Sequence, residues 1–119
     1  LYGVVGGTAN AIAPGKRMLS SMTPTLLLRD GKVVMVVGTP GGSTIITSVF
    51  QAIVNIVDHG QTPAEAAAAP KFHHQLLPPN RIIYSQCCVL DADTITALQQ
   101  RGYEVERSSW EFGDLQIIS

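Results

Sequence analysis

The sequence predicts an α+β fold of packed layers, and three observations carry that prediction. Two apolar strand-like runs, residues 25–29 and 32–37, meet at Asp30-Gly31. A long amphipathic pattern over residues 44–59 follows almost at once. After it come two shorter helical stretches and several more strand-like runs. Strands, then helices, then strands, without regular βαβ alternation, favour segregated layers over a doubly wound sheet.

Taken in order, residues 1–7 read as a short strand running into Gly6-Gly7. Residues 8–17 are polar, with Pro14-Gly15 as a turn signal. Met18-Leu19-Ser20-Ser21-Met22 reads as irregular, and Pro24 leads into the first strand of the hairpin. Asp30-Gly31 suits the two-residue hairpin turn, whose central positions both take positive φ. Both strands are apolar runs without clean alternation, so the sheet is expected to be covered on both faces as an inner layer. In the helix over 44–59, Ile45, Ile46, Val49, Phe50, Ile53, Val54 and Val57 form one broad apolar stripe. Thr47, Ser48, Gln51, Asn55 and Asp58 take the other side, and Gly60 terminates the helix. Thr62-Pro63-Ala64-Glu65 is a capping box with proline at the first helical position. It opens a short alanine-rich helix that Pro70 stops. Residues 71–76 and 81–85 read as extended. Residues 91–101 read as a helix capped by Asp91 and ended by Gly102. Residues 103–107 and 115–118 read as strands.

Composition restricts the function classes. At 119 residues the chain allows one domain. Charged residues are only 14%, against roughly 25% in a typical soluble domain, while apolar residues reach 45%. A small domain has much surface to cover, so part of this surface is expected to be buried against another chain or segment. The net charge of −1 and the lack of a basic run argue against nucleic acid and against a polybasic membrane patch. No apolar run approaches the roughly 18 residues of a spanning helix. Cys87 and Cys88 are adjacent, which ordinary disulfide geometry disfavours. They are expected to be free thiols, and a two-cysteine metal site lacks further ligands at suitable spacing.

The candidate chemistry centres on Gly38-Thr39-Pro40-Gly41-Gly42-Ser43. Gly41 and Gly42 lie between a strand and a helix N-terminus, where unpaired N–H groups and the helix dipole favour negative charge. Such backbone is open to close approach by a reacting carbonyl, as an oxyanion hole requires. Taken alone, the pair reads more readily as a tight strand-to-helix connection. Ser20-Ser21, shortly after Lys16-Arg17, offers hydroxyls for a substrate carboxylate or, alternatively, local turn capping. His73 and His74 point to opposite faces of an extended segment, so they cannot share a metal, and they read as structural. The carboxylates are scattered over caps, strands and loops. No hydroxyl or thiol has an activating base beside it in sequence, so the nucleophile is expected elsewhere.

Three blocks carry a family resemblance: residues 10–25, the glycine block 38–43, and Ala69-Pro70-Lys71-Phe72-His73-His74-Gln75. In this order and spacing they resemble the small subunit of γ-glutamyltranspeptidases, strongly over residues 2–78 and more weakly beyond, where Gly113 and Gln116 fit. The resemblance implies an N-terminal nucleophile hydrolase, a four-layer αββα sandwich, of which residues 1–119 form an incomplete part. It implies a self-cleaving precursor whose new N-terminal threonine is nucleophile and, through its α-amine, base. Ser20 and Ser21 would hold the α-carboxylate of a γ-glutamyl group, and Gly41 and Gly42 would donate N–H groups to the oxyanion. The histidine pair would be non-catalytic. The family's threonine, its supporting threonine and asparagine and an acidic residue fall before Leu1; its C-terminal strands fall beyond Ser119. No nucleophile, cofactor or metal is expected within the chain. The implied partners are a large subunit from the same precursor, which carries a clamping arginine, the γ-glutamyl substrate, and an acceptor amine, peptide or water. A cephalosporin acylase or poly-γ-glutamate-processing relative, and a non-catalytic scaffold fragment, are the alternatives. A periplasmic or secreted location is implied for a bacterial member.

Overall fold

A computed structural model describes residues 6–119. After a single 3-10 turn at Thr8–Asn10, the elements run β1 (Thr25–Arg29), β2 (Lys32–Gly38), α1 (Thr44–Val57), α2 (Pro63–Ala68), β3 (Phe72–His74), β4 (Arg81–Tyr84), α3 (Ala92–Gln100), β5 (Glu104–Arg107) and β6 (Gln116–Ile118). They form two three-stranded sheets, β1-β2-β6 and β3-β4-β5. Of the strand expected over residues 1–7, the first five residues lie outside the described part, and Gly6 and Gly7 belong to no strand.

The β1–β2 turn forms as the sequence predicts, with Asp30 at φ 52° and Gly31 at φ 76°. Pairing starts at Arg29↔Lys32 and Leu28↔Val33, then slips by one residue to Leu27↔Met35, and runs on to Thr25↔Val37. This bulge inserts an extra residue into β2 and resets which residues face each other farther along the pair. β6 adds antiparallel to the other edge of β2.

The main core lies between this sheet and the two helices that follow it. Val37, Ile45, Val49, Ala52 and Leu115 are buried together, with Leu27, Ile53, Ala67 and Ile117 packed against them. Of the cover expected on both faces, the described residues supply one side. The cross-strand row Leu26–Val36–Ile118 is 58%, 38% and 74% exposed, whereas Met35 and Val37, pointing the other way, are buried. The missing alternation in sequence thus reflects a second apolar face that the described residues leave open.

The apolar stripe of α1 is also corrected. Ile45 and Val49 are buried, but Ile46, Phe50 and Val57 are exposed, and Ser48 is fully buried on the core side. The helix is apolar around most of its circumference, so hydrophobicity alone places its inner face wrongly. It ends at Val57 rather than His59, with Gly60 at φ 67°. The other helix signals hold. Thr62 and Glu65 form the reciprocal capping box, and Asp91 accepts from Thr94 N–H at 2.7 Å. α2 and α3 begin one residue after their caps.

In the second sheet, β3 pairs antiparallel with β4, and β4 pairs parallel with β5. α3 is the crossover between those parallel strands, so the described residues include a βαβ unit that the irregular sequence pattern does not announce.

Candidate active site

The hairpin brings the two candidate motifs together. Continuing the Thr25↔Val37 register outward by four residues sets Ser21 opposite Gly41. Past β1 and β2 the chains are irregular, yet the contact persists: Ser21 Oγ donates to the Gly42 carbonyl at 2.8 Å. Thr23 Oγ1 donates to the Ser21 carbonyl at 3.0 Å and Thr25 Oγ1 to the Thr23 carbonyl at 3.1 Å. These bonds hold a segment that has no regular structure of its own.

The glycine turn is built into the start of α1. Gly41 has φ 139° and Gly42 φ 59°, both in the region that favours glycine. Thr44 N–H and Ile45 N–H donate to the carbonyls of Gly41 and Gly42, each at 3.2 Å. Thr44 Oγ1 also donates to the Gly41 carbonyl at 2.9 Å. A Cβ on Gly41 would lie 2.6 Å from that hydroxyl oxygen, so close packing as well as φ demands glycine. Thr39 Oγ1 ties the turn to the Asp114 carbonyl at 3.0 Å. With their carbonyls engaged, the Gly41 and Gly42 N–H groups donate to no described residue. They are backbone donors at a helix N-terminus, the arrangement that stabilises negative charge.

The hydroxyls divide unequally. Ser21 has its one proton on Gly42 O. Ser20 Oγ accepts from Met22 N–H at 3.1 Å, and Ser20 is exposed. That bond uses a lone pair and leaves the Ser20 proton for a ligand. Lys16 does not serve these serines, because its ammonium donates to the Ala9 and Ala11 carbonyls at 2.6 and 3.1 Å. Thr23, Thr25 and Thr39 have their hydroxyls on backbone carbonyls, which suits bracing rather than nucleophilic attack.

Sequence reasoning missed a polar chain on the same helix end. Ser43 Oγ donates to Gln75 Oε1 at 2.6 Å, which lies 3.2 Å from His73 Nε2. His73 Nδ1 lies 2.9 Å from Thr47 Oγ1. Since an amide oxygen only accepts, the proton between Gln75 and His73 sits on Nε2. The buried His73 therefore locks β3 to α1, as its structural reading expects. His74 stacks edge-on against Tyr103, with ring centres 5.9 Å apart. A cavity of about 510 Å³ opens beside this chain, lined by Ser43, Gln75, Arg81, Glu106 and Trp110 among others. None of Ser20, Ser21, Gly41 or Gly42 lines it.

Lys71 is the other unexpected group. It is 1% exposed and its ammonium donates to the Ala66 carbonyl at 2.8 Å and also to those of Ala67 and Ala69, satisfying the end of α2. Burial holds its pKa below the usual lysine value. Among the described residues, no group of three or more His, Cys, Asp or Glu is arranged to hold a metal. No helix there is long and apolar enough to cross a membrane.

Comparison with known proteins decides the family. The pattern of the family described as gamma-glutamyltranspeptidase matches residues 1–119. The chain belongs to the γ-glutamyltranspeptidase family. It is 51% identical over 117 residues to a glutathione hydrolase proenzyme of Pseudomonas aeruginosa, covering 98% of this chain and 21% of that protein. It is 49% identical over 105 residues to the glutathione hydrolase proenzyme of Escherichia coli, covering 88% of this chain and 18% of that one. The chain thus spans about a fifth of the length of these relatives. Its structure superposes on the gamma-glutamyltranspeptidase of Pseudomonas nitroreducens with a TM-score of 0.92 at 49% identity, covering 98% of this chain and 61% of the solved one. The α+β layers are therefore part of the N-terminal nucleophile hydrolase fold of that family. The proenzymes it resembles are several times longer, so a larger partner segment accompanies the matching region in them.

Proposed function

We propose that this chain provides the oxyanion hole and part of the substrate clamp of an enzyme that hydrolyses or transfers γ-glutamyl groups, glutathione among its substrates. The observation that carries the proposal is the Ser21–Gly42 hydrogen bond. It couples a serine loop to two backbone N–H groups at a helix N-terminus that donate to no described residue.

The nucleophile is an N-terminal threonine outside residues 1–119. It attacks the γ-carbonyl and forms an acyl-enzyme, which water, an amine or a peptide then resolves. Gly41 and Gly42 N–H groups bind the tetrahedral oxyanion in each half-reaction. The Ser20 hydroxyl donates to the α-carboxylate, with Ser21 beside it bracing the turn. The open row Leu26–Val36–Ile118 packs against the rest of the precursor, including the large subunit, which accounts for the low charge of the chain. In a bacterium the enzyme works outside the cytoplasm.

The test uses the full-length protein and a chromogenic γ-glutamyl anilide. Gly42→Val is expected to lower kcat by about 10²–10³-fold, the usual cost of losing one oxyanion donor. Near-normal turnover in a folded variant, or no release of the anilide by the wild type, would sink the proposal.

A further inference from the structure

Cys87-Cys88 stands out in the sequence, and the proposed chemistry does not use it. Both thiols sit at the end of a turn, residues 85–88, closed by Cys88 N–H on the Ser85 carbonyl at 3.0 Å. The start of the turn is fixed. Ser85 is fully buried, donates its N–H to the Lys71 carbonyl at 2.9 Å, and accepts Phe112 N–H on Oγ at 3.0 Å. This geometry brings Cys87 Sγ within 3.5 Å of Cys88 Sγ.

The two sulfurs have different surroundings. Cys87 is exposed, whereas Cys88 is 8% exposed. Burial pushes the Cys88 thiol up from its ordinary value, opposed by the Lys71 backbone N–H and ammonium. A metal site would need further donors, and no cluster suited to a metal occurs among the described residues. A two-electron thiol reaction needs only the two sulfurs already in contact.

We propose that Cys87 and Cys88 form a reactive dithiol that low-molecular-weight disulfides oxidise to a disulfide within the turn. The Cys87 thiolate attacks one sulfur of R–S–S–R, forms a mixed disulfide and releases one thiolate RS⁻. Cys88 then loses its proton to solvent, and its sulfur attacks the Cys87 sulfur and displaces the second RS⁻. Two cysteine thiols are oxidised, and the external disulfide is reduced to two thiols. Access sets the order, because only Cys87 meets a partner from solution. Neighbouring Cα atoms across a trans peptide lie about 3.8 Å apart, below the ~4.4–6.8 Å of ordinary disulfides. The closed ring is therefore readily reopened by thiols.

The test treats the full-length mature protein with 2-hydroxyethyl disulfide. This probe has no γ-glutamyl group, so its reaction is independent of the proposed catalytic activity. Mass mapping without reduction reads the tryptic peptide of residues 82–101, which holds both cysteines. The wild type is expected to lose both thiols, with the peptide two hydrogens lighter and carrying no adduct. Cys88→Ser should retain the hydroxyethylthio adduct on Cys87, and Cys87→Ser should remain unmodified. An unreactive wild type, or a wild-type adduct as persistent as that of Cys88→Ser, overturns the proposal. The wild-type result decides alone if Cys88→Ser does not fold.

Discussion

Ser21 donates its hydroxyl to the carbonyl of Gly42 at 2.8 Å. While that proton is on the carbonyl it is not on another acceptor, so two adjacent serines that look equivalent in sequence differ in their hydrogen bonding. The Ser20 proton goes to no described residue, while Ser21 ties its loop to the glycine turn.

Single alanine variants of the full-length enzyme should tell the two serines apart. Ser20→Ala would remove the proposed hydrogen bond to the substrate carboxylate, a bond to a charged group worth about 1.5–3 kcal/mol, and is expected to raise KM by roughly ten- to a hundredfold with kcat little changed. Ser21→Ala should act mainly on kcat, because a loosened Gly42 misplaces the oxyanion donors. Identical kinetic patterns for the two variants would refute the division.

Gly41 should tolerate no side chain. Its φ of 139° is unfavourable for any other residue, and an added Cβ would meet Thr44 Oγ1 at 2.6 Å. Since that hydroxyl is bonded to the Gly41 carbonyl itself, relief requires the first turn of α1 to shift. Gly41→Ala is expected to lose about 1–3 kcal/mol of stability together with most of its kcat. Denaturant unfolding and steady-state rates on the same variant check both effects.

A buried cluster behind the site offers a pair of opposite outcomes. Ser48 Oγ is buried without a hydrogen-bond partner among the described residues, so Ser48→Ala should be neutral or mildly stabilising. Gly113 has φ 82°, and a Cβ there would lie 2.6 Å from Lys71 Cγ and 3.3 Å from Ser48 Oγ. Gly113→Ala is expected to destabilise by about 1–3 kcal/mol. Thermal melts that rank the two variants in the reverse order would contradict this packing.

Acid sensitivity should follow the helix caps. Hydrogen bonds from Thr62 lower the Glu65 pKa from 4.5, and those from Thr94 lower the Asp91 pKa from 3.8. Both folded values are depressed, so the folded state binds fewer protons than the unfolded one as pH falls. Their stabilisation is complete above the unfolded values and is lost as pH drops through the lowered folded ones. Melting temperature should therefore fall below pH about 4.5, and less steeply in Glu65→Gln, which no longer titrates there.

Much of the local architecture is legible in sequence because it rests on local chemistry. Asp30-Gly31 sets the hairpin, Thr62 and Glu65 start α2, and Asp91 starts α3, each through bonds to residues at most three positions away. Gly41 and Gly42 are legible as a strand-to-helix turn because helix-end chemistry selects glycine there, while Ser20 and Ser21 stand out only through the family resemblance. The inner face of α1 is not legible. Ile46 and Phe50 are as apolar as Ile45 and Val49, and only the position of the sheet decides which pair is buried. Lys71 is misleading for a related reason: nothing near it in sequence reveals that its ammonium folds back onto the end of α2.

By itself, the sequence determined the succession of strands, turns and capped helices, the glycine turn at the head of α1, and the family, because these follow from residue type and spacing. Tertiary structure alone decided that Ser21 faces the glycine turn. The one-residue slip between Leu27 and Leu28 shifts the β1–β2 register, and cross-strand pairing carries that shift to the site. It also decided that Ser43, Gln75, His73 and Thr47 form one polar chain, and that Cys87 and Cys88 face each other at the end of one tight turn. The first two depend on how distant backbone segments are held together, and the third on a turn anchored through Ser85 to Lys71 and Phe112, none of which residue order specifies until the layers pack.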